Sequence, residues 1–496
     1  MLIRRLLITL VAFPLSAFAQ EKKEAKGGDP PPKDTAVTTS HVLKLDGKSV
    51  NYTATAGTLP LLDEAGKPTA NVFYVAYTRA DAAPEGRPIT FTFNGGPGSS
   101  SVWLHMGAFG PKRVALTDEG EPPPPPARLV DNDLSILDLT DLVFIDPVTT
   151  GYSRPAVGQE AKKFHGVKED VEAVGEFIRL YVTRQKRWGS PKYLAGESYG
   201  TTRAANLVGH LQDRHGMNFN GVILVSAILD FQTARFDEGN DLPHVLFLPT
   251  FTATAWYHKK LGSEYQADLK RTLAEVEKFA EDEYAKALMK GDKLTDAERG
   301  HVAEKLAAFT GLSADYIRRA NLRPEIGRFT KELLRGDRRT VGRFDSRMKG
   351  TDKDAVGERH EYDPSYATVQ GAYTSALNEY VRGSLKYESD LPYEILTGKV
   401  QPWNYGDYQN RYVNVAPVLR SALTKNPHLR VFLASGYYDL ATPYFAADYT
   451  MNHLHLEADR RKRITTAYYE AGHMMYVHRP SHEKLKKDLA DFYALK

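Results

Sequence analysis

The sequence predicts an α/β fold, a sheet core interrupted by a helical insertion, and three observations predict it. Short apolar runs at 89–93, 142–145, 193–195 and 429–434 have the composition of buried parallel strands. A segment of helical periodicity, 167–187, lies between two of them, which is the alternation of an α/β sheet. From about 236 to 395 strand signals are scarce and charged amphipathic helices take over, SEYQADLKRTLAEVEKFAEDEYAKALMKG and LTDAERGHVAEKLAAFTG among them. The α/β pattern resumes after Pro402 with a helix near 415–423 and the strand at 429–434.

Each stretch of chain can be placed in turn. Residues 1–19 read as a signal peptide: Arg4-Arg5, a short apolar stretch ended by Pro14, and Ala17-Phe18-Ala19 as cleavage site. That apolar stretch falls short of the roughly 20 residues a bilayer span needs, and no later segment reaches it. Residues 20–40, charged and rich in Pro and Gly, are expected to be a flexible linker. Residues 41–235 form the first part of the core, 236–395 the helical cap insertion and 396–496 the second part of the core. Within the first part, alternating runs from 41 to 79, parted by Asp46-Gly47 and by 65–68, predict antiparallel hairpins.

Composition excludes several classes. With 496 residues, 42% hydrophobic and 26% charged, the chain can bury a sizeable core. It has no cysteine, which removes disulfides, a cysteine nucleophile, Cys-ligated zinc, iron–sulfur centres and a lipid-anchoring cysteine. The net charge is +3 without a long basic block, so the clustered footprint of a nucleic-acid binder is missing. No metal or cofactor motif is present. Export without cysteine points to a bacterial periplasm or the surrounding medium. Nothing in the sequence sets the oligomeric state.

The chemistry concentrates in a few motifs. Gly196-Glu197-Ser198-Tyr199-Gly200 follows the apolar run at 193–195 and precedes a helix-compatible stretch. Strand, sharp turn and helix is the context of a nucleophile elbow, in which a strained turn lifts the Ser198 hydroxyl clear of the sheet. A serine needs a base, and the α/β-hydrolase order is serine, acid, histidine. Asp439 follows the strand at 429–434, and His473 follows another short strand and Gly472, so Ser198, Asp439 and His473 are the candidate triad. Asp448 and Asp459, in predicted helix, and His453, His455 and His478 are weaker rivals. The loop Asn94-Gly95-Gly96-Pro97-Gly98-Ser99-Ser100-Ser101 follows the strand 89–93 and lacks the lysine and spacing of a phosphate loop. It suits an oxyanion hole made by the N–H groups of Gly96 and Tyr199. Trp103, Tyr437 and Tyr438 flank the motifs as pocket walls or as ordinary core aromatics.

Four blocks together resemble the serine carboxypeptidase family of carboxypeptidase Y and cathepsin A. The loop at 94–101 is similar to the family's N-G-G-P-G-C-S-S, and 144–153 resembles its D-Q-P-V-G-T-G-F-S, one residue shorter around Asp146-Pro147. Residues 196–200 read G-E-S-Y-G letter for letter, and Gly472-His473-Met474 resembles the start of G-H-M-V-P. The resemblance implies an α/β-hydrolase fold with a helical cap insertion and release of C-terminal residues from peptide substrates. It also implies that Asn94 and Glu197 bind the substrate's terminal carboxylate, which requires a shared proton. Ser99 stands in place of the family's cysteine, and Ala108 in place of a second glutamate before Gly110-Pro111. An esterase or acyltransferase on the same scaffold is the alternative reading.

Overall fold

The computed structural model describes residues 35–495. The expected signal peptide and residues 20–34 of the expected linker lie outside the described residues. The sheet is built from β1 (Thr35–Leu45), β2 (Lys48–Leu62), β3 (Pro68–Arg79), β4 (Ile89–Phe93), β5 (Asp141–Ile145), β6 (Lys192–Ser198), β7 (Gly221–Ala227), β8 (Arg430–Gly436) and β9 (Ile464–Tyr469). Their order across the sheet is β1-β2-β3-β5-β4-β6-β7-β8-β9, with the two-residue segment Arg154–Pro155 pairing on β3. β1, β2 and β3 pair antiparallel, and β3 joins β5 antiparallel. From β5 to β9 every pairing is parallel, as βαβ connections require. This is the α/β-hydrolase arrangement expected from the motif order.

Side-chain alternation explains why the parallel strands are apolar throughout. Phe91, Phe93, Leu194, Val222, Leu224, Val431 and Leu433 point to one face, where they join the helices Val167–Arg184, Tyr199–His215 and Ala416–Lys425. Tyr193, Ala195, Ile223, Val225, Phe432 and Ala434 point to the other, under the helices Pro364–Gly383 and Arg479–Ala494. Both faces are covered, so neither set can be polar.

The stretch 236–395 divides by packing. Helices from Leu242–Tyr257 to Ile326–Glu332 build a core of their own around Phe251, Val276, Phe279, Leu306 and Phe329, into which Leu440 of the hydrolase part inserts. The helix Pro364–Gly383 instead lies on the sheet through Val369, Tyr373, Leu377 and Tyr380. Its hydrophobic face is committed to the same core as β6 and β8. Among the described residues no helix is long and apolar enough to cross a membrane.

One expectation is corrected. The last six residues assigned to the linker, Thr35-Ala-Val-Thr-Thr-Ser40, are strand, paired with β2 from Thr35↔Thr58 to Ser40↔Thr53. Three threonines and a valine favour strand, a local preference that the Pro, Gly and Lys just before them mask. The β1–β2 turn is the two-residue Asp46-Gly47 loop with both φ positive, at 48° and 74°, the geometry a tight hairpin needs.

Gly57 tests this strand. A Cβ there would lie 2.3 Å from the Thr35 carbonyl oxygen and 2.5 Å from the Ala36 Cα. Gly57→Val is expected to release residues 35–40 from the sheet edge and to cost about 1–3 kcal/mol. Hydrogen exchange should show loss of protection at 35–40 with β4 to β8 still protected; unchanged protection at 35–40 contradicts the pairing.

Candidate functional site

Ser198 is the last residue of β6, and the helix Tyr199–His215 begins directly after it. Its backbone sits at φ 59°, ψ −129°, a strained conformation for a residue with a Cβ. The flanking glycines are required by contact. A Cβ at Gly196 would lie 2.1 Å from the Gly200 carbonyl oxygen, and one at Gly200 would lie 2.7 Å from that of Phe93. The turn therefore closes only with bare backbone on both sides of Glu197-Ser198-Tyr199.

The loop after β4 packs against this turn with equal closeness. A Cβ at Gly95 would stand 2.4 Å from the Tyr199 amide nitrogen. Gly96 has φ 106°. Gly96 and Tyr199 line the same cavity, and Tyr199, as the first helical residue, has an N–H with no intrahelical acceptor. The loop is tied to residues 395–397 by backbone hydrogen bonds from Ser100 N–H to the Ile395 carbonyl and from Thr397 N–H to that of Gly98, each 2.9 Å. Ser99, at the position of the family's cysteine, accepts from the Trp103 indole at 3.0 Å. Asp146, in the shortened turn, accepts from Ser101 N–H at 2.9 Å, and burial pushes its carboxyl up to about 7.

His473 and Asp439 meet where the sequence order brings them. Asp439 is wholly buried just after β8, and its Oδ2 lies 2.8 Å from His473 Nδ1. The other lone pairs of Asp439 accept from Ala441 N–H at 2.8 Å, Thr442 N–H at 3.0 Å and the Thr442 hydroxyl at 2.7 Å. Burial opposes a charged His473, but Asp439 and Glu197 outweigh it and hold its pKa above the usual imidazole value. The main chain around the ring is pinned as well: His473 N–H donates to the Phe344 carbonyl at 2.6 Å, and Gly472 N–H to Asp345 at 3.2 Å. The rivals lie elsewhere. Asp448 accepts from Tyr468, Asp459 lies in the first turn of the short helix Ala458–Arg461, His453 caps its own helix, and His478 bonds Ser481.

Ser198, His473, Asn94 and Glu197 line one cavity of about 380 Å³, whose walls include Trp103, Phe344, Tyr366, Val369 and Met474. Glu197 is 3% exposed. Asn94 donates its side-chain amide to one carboxyl oxygen at 2.9 Å, and the Tyr476 hydroxyl donates to the other at 2.6 Å. Burial, opposed by His473 and these donors, pushes the Glu197 carboxyl up to about 7. Asn94 is itself held by Leu104 N–H on its side chain and by the Arg203 guanidinium on its carbonyl, at 3.1 and 2.6 Å. Arg203 pairs with buried Asp170 at 2.7 Å and lies over the rings of Phe93 and Tyr199. Ala108 is buried in the core, and its carbonyl accepts from His482 and Asn132. Among the described residues no cluster of His, Asp and Glu is arranged to hold a metal.

This geometry belongs to a serine hydrolase of the α/β-hydrolase class. Residues 47–485 match the family model described as serine carboxypeptidase, so the chain belongs to that family and is a serine peptidase. No curated relative matches the chain. Solved structures that it resembles include a thermostable carboxyl esterase from Bacillus coagulans, at 12% identity over 88% of this chain and 96% of that one, TM-score 0.35. They also include the proline iminopeptidase of Mycobacterium smegmatis, at 13% identity over 92% and 97%, TM-score 0.33. With likenesses this distant, family membership rests on the sequence match and on the sheet and elbow described above.

Three residues at the site gave no signal that the sequence reading used. Tyr476 lies three residues past His473, close enough to the motif to have been read with it. Arg203 stands in ordinary helix sequence, and Arg343, which also lines the cavity, in ordinary loop sequence. Of the flanking aromatics, Trp103 lines the cavity, whereas Tyr437 stacks on Tyr468 and Tyr438 packs on Tyr257.

The Arg203–Asp170 pair supplies a stability test. Arg203→Met leaves Asp170 buried without its partner and should cost about 3–5 kcal/mol. Adding Asp170→Leu should recover most of that in denaturant unfolding, since the stranded charge is then gone; no recovery would assign the loss to the Asn94 carbonyl contact instead.

Proposed function

We propose that this protein releases single C-terminal residues from peptides through an acyl-enzyme on Ser198. His473 takes the serine proton as the hydroxyl attacks the last peptide bond, then returns it to the leaving amine. Asp439 fixes the imidazole orientation and stabilises its charged form. The N–H groups of Gly96 and Tyr199 hold the oxyanion. Water then attacks the ester, with His473 again as base. The observation that carries the reading is Glu197, buried between Asn94 and Tyr476 and opening into the cavity that holds Ser198 and His473. A protonated Glu197 with the Asn94 amide can bind a terminal carboxylate. Tyr476 occupies the free side of Glu197, so this clamp works with one carboxyl where the family resemblance implies two. Export to a bacterial periplasm or the medium is part of the proposal and is supported by residues 1–19.

Ser198→Ala should lower kcat on a blocked dipeptide by roughly 10⁴-fold or more and abolish fluorophosphonate labelling. The wild-type enzyme should favour the free acid over its C-terminal amide; indifference to that change favours an esterase or acyltransferase.

The pH dependence follows from two groups. Below about pH 7 Glu197 holds its proton and can donate to a carboxylate; above it, the ionised form repels one. His473 must be neutral to act as base, so activity also falls on the acid side. KM for peptide acids should therefore rise as pH climbs through about 7, with no such rise for the amide. In Glu197→Gln that rise should disappear. Persistence of the rise in this variant removes Glu197 from carboxylate recognition.

A further inference from the structure

Two guanidinium groups face the cavity, and the reaction above uses neither. Arg343 and Arg235 both line it, and Glu197 is the one acid among its lining residues. Arg343 stacks on Phe344, 5.4 Å from the ring centre, and Arg235 lies over Phe231 at 5.8 Å. Among the described residues neither guanidinium has a side-chain carboxylate at ion-pair distance. The acids nearest Arg343 in charge are Asp439 and Asp363, and both are occupied. Asp439 is saturated by Ala441, Thr442 and His473. Asp363 accepts from the main-chain N–H groups of Arg343, Phe344 and Ser365 and from the Ser365 hydroxyl. Two like charges within reach of each other, neither directly paired with a carboxylate, repel one another and favour an anion that enters between them.

Neither arginine takes part in the carboxylate clamp, where Asn94 and Tyr476 hold the two oxygens of Glu197. Asn94, Glu197 and Trp103 line the cavity together with Ser198. Arg235 sits with Phe231, whose ring is 6.4 Å from that of Tyr199, and Arg343 lies beside His473 with Leu440 N–H on its carbonyl. With the terminal carboxylate held by Glu197, the two arginines are left to meet a side chain of the bound peptide.

We propose that Arg343, assisted by Arg235, forms a subsite for an acidic side chain on the penultimate residue of the peptide, the residue that becomes the acyl group. This rests on the carboxypeptidase reading. Asp or Glu at that position would make charge-assisted, two-point contact with the guanidinium plane.

The test uses four blocked dipeptides, Glu-Phe, Gln-Phe, Phe-Glu and Phe-Gln, each N-benzyloxycarbonylated. Wild-type kcat/KM should favour Glu-Phe over Gln-Phe by about tenfold or more, and the preference should shrink as salt is raised. Arg343→Gln should bring the ratio close to one, Arg343→Lys should keep part of it, and Arg235→Gln, on an exposed side chain, should weaken it without loss of folding. Equal turnover of Glu-Phe and Gln-Phe by an active wild-type enzyme overturns the subsite alone. A larger preference for Phe-Glu over Phe-Gln overturns its placement on the acyl side. Absence of hydrolysis of all four overturns the carboxypeptidase reading and this subsite with it.

Discussion

The site depends on one steric constraint: bare main chain where the loop after β4 meets the turn after β6. Gly95, Gly196 and Gly200 each face a backbone atom of the other segment or of their own turn 2.1–2.7 Å from where a Cβ would be. No side chain could be accommodated there without pushing β4 and β6 apart, and those strands are adjacent in the sheet, with Phe93 opposite Gly196. From this contact follow the strained turn at Ser198, the presence of Gly96 and Tyr199 in one cavity lining, and the approach of Asn94 to Glu197. Strain at Ser198 persists because the sheet on one side and the helix Tyr199–His215 on the other over-determine it.

Around that contact the protein substitutes hydrogen bonds for covalent links. With no cysteine in the chain, the glycine-rich loop is secured by main-chain bonds to residues 395–397, by Asp146 under Ser101 and by Arg203 on the Asn94 carbonyl. Such bonds contribute about 1 kcal/mol each on balance, and they act only in the folded state, whereas a disulfide also restricts the unfolded chain. The loop's order is thus tied to the order of the whole sheet.

The features legible in the sequence were those written by near neighbours. Apolar runs gave the parallel strands, Asp46-Gly47 gave a hairpin, and Gly196 to Gly200 gave the elbow, since each is a local steric or periodic rule. Asp439 and His473 could be picked out because each follows a strand. What escaped was contact between distant positions: Tyr476 reaches Glu197 across 279 residues, and Arg203 reaches Asn94 across 109. Adjacency in sequence could also mislead, as Tyr437 and Tyr438 precede Asp439 yet turn to other faces. The start of β1 was hidden for a different reason, because average composition over 20–40 outweighed the strand preference of its last six residues.

The His473 loop is pinned by the Phe344 carbonyl and the Asp345 carboxylate, which accept from His473 and Gly472 N–H, and Leu440 N–H, next to Asp439, donates to the Arg343 carbonyl. These residues lie at the far end of the helical stretch, where it returns to the sheet. The insertion is therefore no detachable lid. The same short segment presents Arg343 and Phe344 to the cavity and fixes the backbone of the proposed base. Any change of length in the insertion that shifts residues 343–345 therefore disturbs the wall of the cavity and the position of His473 together.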